Sequence, residues 1–186
     1  MSKASQVIVL CEDKSHEIFV YRFLTSGWNV PARTIRILPY PRGRGSGKKC
    51  VEDTIGKEAK ALRARSASTV LLVVCDADEN SVKETTRILD LKIQPPRQDN
   101  EQIMYIIPKW HIETWVAYLD DVEVNESESR KYKNSYRKIC ESKDVHKFVD
   151  DLASSCKKGE KLVSPPASLV AACFEFERIR GALTKN

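Results

Sequence analysis

The sequence predicts an α/β fold: a four-stranded, mainly parallel sheet with helices on both faces and a C-terminal helical extension. Three observations carry this. Runs such as Val70-Leu71-Leu72-Val73-Val74-Cys75 are apolar at consecutive positions, as strands covered on both faces are. Such runs alternate with longer segments of helical periodicity over the first two-thirds of the chain. The chain has 186 residues and is 41% hydrophobic, enough for one core and too short for several.

The elements follow in order. Residues 6–11 form a first strand, followed by a helix over residues 15–24 with Ile18, Phe19, Phe23 and Leu24 on its buried face. A strand over 34–38, a loop and a helix over 51–65 come next. The strand over 69–75 precedes a helix over 81–89. Pro95 and Pro96 exclude a central strand in the connection that follows. A fourth strand over 103–107 leads to a helix over 111–118. Crossovers of this kind are right-handed. Residues 1–120 thus make an α/β domain, and 121–186 a linker and helical extension packing on that same domain. The linker is acidic from Asp120 to Ser129, and Lys131 to Lys138 is basic with Tyr132 and Tyr136 interleaved. Helical spacing returns over 145–155 and, after Pro165-Pro166, over 168–183.

A net charge of +5 with 31% charged residues is mildly basic, so the distribution of charge matters more than its sum. No stretch approaches the ~18 apolar residues of a membrane span, and the N-terminal residues enter a strand without an apolar signal region. None of the six cysteines forms a Cys-x-x-Cys pair, which argues against a structural zinc site. Cys11 and Cys75 read as small hydrophobes inside strands. These features predict a reduced, cytoplasmic protein.

The chemistry concentrates at strand ends. Ligands of parallel sheets bind beyond the carboxyl ends of the strands. There the third strand runs into Asp76-Ala77-Asp78 and the first into Glu12. Three acids from two strand ends make a site for a hard, oxygen-ligated cation such as Mg²⁺. The structural alternatives are that Asp78 caps the next helix and that Glu12 favours the positive end of its helix.

A strand ending in Glu12, a turn Lys14-Ser15-His16-Glu17 with its helix, and a later strand ending in Asp76-x-Asp78 together resemble the Toprim domain. That domain is shared by topoisomerases, bacterial primases, a ribosomal RNA maturase and the OLD-family nucleases. The resemblance covers residues 5–118 and implies a Rossmann-like sheet, with Glu12, Asp76 and Asp78 holding Mg²⁺ or Mn²⁺ and acting in catalysis. Two positions depart from the pattern. Asp13 stands where a glycine is usual, which alters the backbone approach to phosphate or adds a ligand. Glu79-Asn80-Ser81 lacks the glycine frequent after Asp-x-Asp.

Two further segments belong to the same edge. Residues 41–49 are glycine-rich and carry Arg42, Arg44, Lys48 and Lys49. Walker A spacing fails, since Arg42 stands where the first glycine belongs and Lys49 where the Ser/Thr belongs. The segment reads as a basic loop holding nucleic-acid phosphates or as a solvated surface loop. After the fourth strand, Lys109, His111 and Glu113 share a turn. Its Glu-x-Trp is similar to a segment of small stand-alone Toprim proteins and OLD-type nucleases, which implies that Glu113 joins the catalytic acids and supports a second metal. Lys109 is a further phosphate contact, and Lys109 or His111 stabilises charge or moves a proton. Trp110 and Trp115 read as core anchors.

The reading from sequence is therefore a metal-dependent nuclease of Toprim type acting on DNA or RNA, with a role in bacterial defence. The alternative is a non-catalytic nucleic-acid-binding or accessory module working with a partner such as an ATPase. A phosphohydrolase of the haloacid dehalogenase type ranks last, because Asn80 stands where that family has Thr or Val and the motif comes late. On this reading Asp76→Ala removes a ligand on a rim and leaves the fold intact.

Overall fold

A computed structural model describes residues 4–41, 46–128 and 131–183. Strands β1 (Gln6–Cys11), β2 (Ile35–Ile37), β3 (Thr69–Val74) and β4 (Ile103–Ile106) form one sheet in the order β2-β1-β3-β4. Every pair is parallel, with Val9 opposite Ile37 and Leu72, and Val73 opposite Tyr105. The sheet is thus wholly rather than mainly parallel.

Alternate side chains of these strands enter two separate cores, as the two-residue period of a strand requires. Ile8, Leu10, Leu71, Val73, Ile103 and Tyr105 meet Val51, Ile55 and Ala59 of helix α2 (Gly47–Ala64) and Leu89 of α3 (Val82–Leu91). On the other face, Val7, Val9, Val70, Leu72, Val74, Met104 and Ile106 meet α1 (Lys14–Arg22) and α4 (Ile112–Leu119). Helices α6 (His146–Lys158) and α7 (Ala167–Leu183) fill the same core with Phe148, Leu152, Leu169, Phe176 and Ile179. The extension therefore shares a core with the sheet.

The chain steps from β1 to β2 in one direction with α1 on one face. It steps from β2 to β3 and on to β4 in the other direction with α2 and α3 on the opposite face. Reversing both direction and face gives all three crossovers one hand. The reversal also opens a crevice between the carboxyl ends of β1 and β3, the position at which such sheets bind ligands.

Two elements differ from the sequence reading. Helix α2 begins at Gly47 rather than residue 51, because Ser46 caps it by accepting from the Lys49 N–H at 3.2 Å. Residues 133–140 form α5 (Lys133–Cys140), where only a basic stretch was read. Its inward side, buried Cys140 with partly buried Tyr136 and Ile139 after the buried N-cap Tyr132, spans barely two turns, a window too short for periodicity to stand out.

Candidate metal centre

The site grows from the turn that follows β1. Asp13 is the N-cap of α1: its Oδ1 accepts from the His16 N–H at 3.0 Å. That bond fixes the first helical turn and brings the side chains of residues N-cap and N3 together. His16 is 1% exposed. Its Nε2 lies 3.0 Å from Asp76 Oδ1, and its Nδ1 lies 3.2 Å from Asp13 Oδ1. Asp76, just past β3, is itself only 3% exposed. Its N–H donates to Glu12 Oε2 at 3.3 Å, so acids 64 positions apart in sequence meet across the crevice.

Electrostatics bind these groups together. Burial pushes the Glu12 carboxyl above the usual range, and the neighbouring Asp76 carboxylate adds to it. Burial also raises Asp76, against the pull of His16. Burial disfavours the His16 imidazolium, but Asp76 and Asp13 outweigh it and raise that pKa as well. Both members of the Asp76–His16 pair are shifted upward, so the pair holds its proton more tightly than either group would alone. Acids packed this closely with little water ask for positive charge.

Glu12, Asp13 and His16 can supply it with a seat: each offers a ligand atom, and these atoms lie within 4.8 Å of one another. Two carboxylates and an imidazole suit a divalent cation, and the Asp13 side chain, 49% exposed, leaves the group open on one side.

The other residues read from sequence fall around this group. Glu12 and Asp76 are together, as described. Asp78 is the exposed member: its side chain is 53% exposed and paired with Lys48 Nζ at 2.8 Å. It does not cap α3, since Ser81 does so by accepting from Glu84 N–H at 3.0 Å. Asp78 instead takes a left-handed backbone, φ +57°, a conformation that aspartate tolerates better than most residues. Two lysines hold that turn. Lys48 Nζ also donates to the Ala77 carbonyl at 3.0 Å. Lys109 Nζ donates to the Asp78 carbonyl and, at 2.9 Å, to that of Asn80. Lys49 is exposed at the start of α2, while Arg42 and Arg44 lie outside the described residues.

Glu113 is buried beneath the site, accepts from Ser15 Oγ at 3.3 Å and has its carboxyl pushed up by burial, with Asp76 and Asp13 adding to the shift. His111 is also buried, its Nε2 is without a hydrogen-bond partner, and burial with the Lys133 and His16 charges depresses its pKa to about 4. It is therefore a neutral imidazole at neutral pH. Trp115 is a core anchor, whereas Trp110 is half-buried, with Lys109 Nζ 4.2 Å from its ring centre.

Three points correct or extend the sequence reading. Asp76 is no rim residue, so truncating it removes a buried partner of His16. Asp78 is exposed and paired with Lys48, whereas Glu12 and Asp76 meet in the interior. Sequence reasoning missed His16. The signal was the cap itself, since an N-cap aspartate necessarily places residue N3 beside it.

One glycine is required here. A Cβ on Gly47 would lie 2.1 Å from the Glu12 carbonyl oxygen, so α2 starts in direct contact with the end of β1 and buttresses Glu12. Among the described residues no helix is long and apolar enough to cross a membrane. Comparison of the chain with protein-family models, with curated proteins and with solved structures finds no match.

Proposed function

We propose that this chain is a metal-dependent phosphodiesterase of Toprim type that cleaves DNA or RNA. The observation that carries the reading is the meeting of Glu12 and Asp76 at the carboxyl edge where the strand order reverses. Glu12, Asp76 and Asp78 would hold a divalent cation there, Mg²⁺ or Mn²⁺, which would supply polarisation of a phosphoryl oxygen and a lowered pKa of bound water.

The chain's own residues do the rest. Glu12 and Asp76 provide the anionic floor. Asp78, exposed and paired with Lys48, would be a further ligand to that cation, and Lys48 beside it would offer a point charge to a phosphate. Lys109 keeps the Asp78 turn in place through the carbonyls of Asp78 and Asn80. Glu113, beneath them, supports the Ser15 turn and adds negative charge for a second cation. Lys49, exposed at the start of α2, extends the phosphate track. Free cysteines, with Cys11 and Cys75 buried in the sheet, support a reducing, cytoplasmic setting. A role in bacterial defence extends the same resemblance.

A second reading has its own support. Asp13 occupies the place of a glycine and is spent as a helix cap, while Lys48 and Lys109 are engaged within the chain. Those features favour an accessory, nucleic-acid-binding module that works with a partner such as an ATPase.

Cleavage of labelled single- and double-stranded DNA and RNA in Mg²⁺ or Mn²⁺ separates the two. Under the first reading wild type cuts and Asp76→Asn, which keeps the side-chain volume, does not. Binding without cutting in either metal favours the second.

A further inference from the structure

We infer that His16 is a metal ligand through Nδ1 and that, with Glu12 and Asp13, it makes a mixed nitrogen–oxygen site selective for a first-row transition cation over Mg²⁺. The ring is almost wholly buried, yet its Nδ1 makes no well-directed hydrogen bond and meets only the Asp13 carboxylate. Buried ring nitrogens are rarely left so. This nitrogen faces the Asp13 carboxylate, 3.2 Å from its Oδ1, and Glu12, Asp13 and His16 each offer a ligand atom within 4.8 Å of the others.

The opposite side of the ring supplies an independent observation. Nε2 faces Asp76 Oδ1 at 3.0 Å, with Asp76 buried behind it. Metal-binding histidines characteristically give their second nitrogen to a carboxylate, which fixes the tautomer and turns the free nitrogen to the metal. In this arrangement Asp76 is a positioning residue for His16. The donor set then decides the metal. Mg²⁺ prefers oxygen and water in a near-ideal octahedron, whereas imidazole favours the later first-row cations, Fe²⁺ through Zn²⁺. As the identity of the cation used in cleavage, the inference rests on the nuclease reading; as a binding site it is measured separately.

The test uses the full chain stripped of metal by a chelator. Co²⁺ is followed by its visible absorption, and Mn²⁺ and Mg²⁺ by calorimetry. The expected result is Co²⁺ binding at least about tenfold tighter than Mg²⁺, with Mn²⁺ between them. His16→Gln keeps an amide donor facing Asp76 but lacks Nδ1, and loses more Co²⁺ affinity than the roughly 10- to 100-fold that removal of an outer-shell partner costs. Equal affinity for Co²⁺ and Mg²⁺, or an unchanged Co²⁺ spectrum in folded His16→Gln, overturns the inference. If that variant does not fold, proton NMR of the Co²⁺-loaded wild type decides. A paramagnetically shifted, exchangeable imidazole N–H, the one held by Asp76, supports the site, and its absence overturns it. Histidine-ligated Co²⁺ in a chain that cuts no nucleic acid leaves the site standing and removes the nuclease reading. Cutting in Mg²⁺ without that resonance does the reverse.

Discussion

At the scale of the residue, two substitutions weigh the crevice's geometry. Asp76→Ala strands the His16 ring in the interior, and losing one member of a buried pair costs about 3–5 kcal/mol. Asp76→Asn retains a polar partner and costs less. Urea unfolding of the two variants measures the difference; equal midpoints would show that the pair is not closed in solution. Glycines give a contrast of sign. Gly47→Ala drives a methyl into the Glu12 carbonyl and destabilises by about 1–3 kcal/mol through overpacking. Gly181→Ala meets nothing within 4 Å in α7 and stabilises by about 0.5–1 kcal/mol. Thermal melts check both, and a Gly47→Ala protein as stable as wild type would contradict the contact. The acids of this site were legible as residue types at strand ends. Which of them touch was not, because that depends on Asp78 being exposed and paired with Lys48 and on a cap turning His16 inward.

At the scale of the element, the open edge of β4 is managed by side chains. Arg97 Nη1 donates to the Ile103 carbonyl at 3.2 Å, and Arg178 donates to the same carbonyl. Glu175 Oε2 accepts the Tyr105 N–H at 3.1 Å and pairs with Arg97 at 2.6 Å. These bonds occupy ladder groups that another strand would otherwise use. The opposite edge, β2, is only three residues long, which limits pairing by itself. Burial raises the Glu175 carboxyl, but Arg97 outweighs it and the net shift is downward. Arg63 holds Glu101 down as well, chiefly through its hydrogen bond. Folded values below unfolded ones mean stability that is fully present above the ordinary glutamate range and lost as pH falls through the folded value. Glu175→Gln, which retains an acceptor for Tyr105, should therefore flatten the acid limb of a urea-midpoint profile taken from pH 7 to pH 3. Curves that stay parallel to wild type would show that the pair contributes nothing. Strands β1, β3 and β4 were legible as apolar runs, whereas the edge strand β2, Ile35-Arg36-Ile37, alternates with Arg36 exposed; helix starts shifted where a serine cap, Ser46 or Ser81, set them.

At the scale of the whole molecule, the extension is part of the sheet's support. Helix α7 buries Leu169, Phe176, Ile179 and Leu183 in the core shared with α1 and α4 and supplies the bonds that close the β4 edge. Removing residues 167–186 should give a chain that aggregates on refolding, read by light scattering; a monodisperse, cooperatively melting product would contradict this. Strand order could not be read from sequence, because the pairing of β1 with β3 joins segments separated by a complete strand and two helices. That order creates the crevice and brings Glu12 to Asp76, so the site is a property of the fold rather than of either motif. The most direct test of the central claim is a titration with Mg²⁺ and Mn²⁺ of cleavage on labelled single- and double-stranded DNA and RNA, beside folded Asp76→Asn. Metal-dependent cutting that the variant loses is the predicted result. No cutting in either metal, or cutting that the folded variant retains in full, would contradict it.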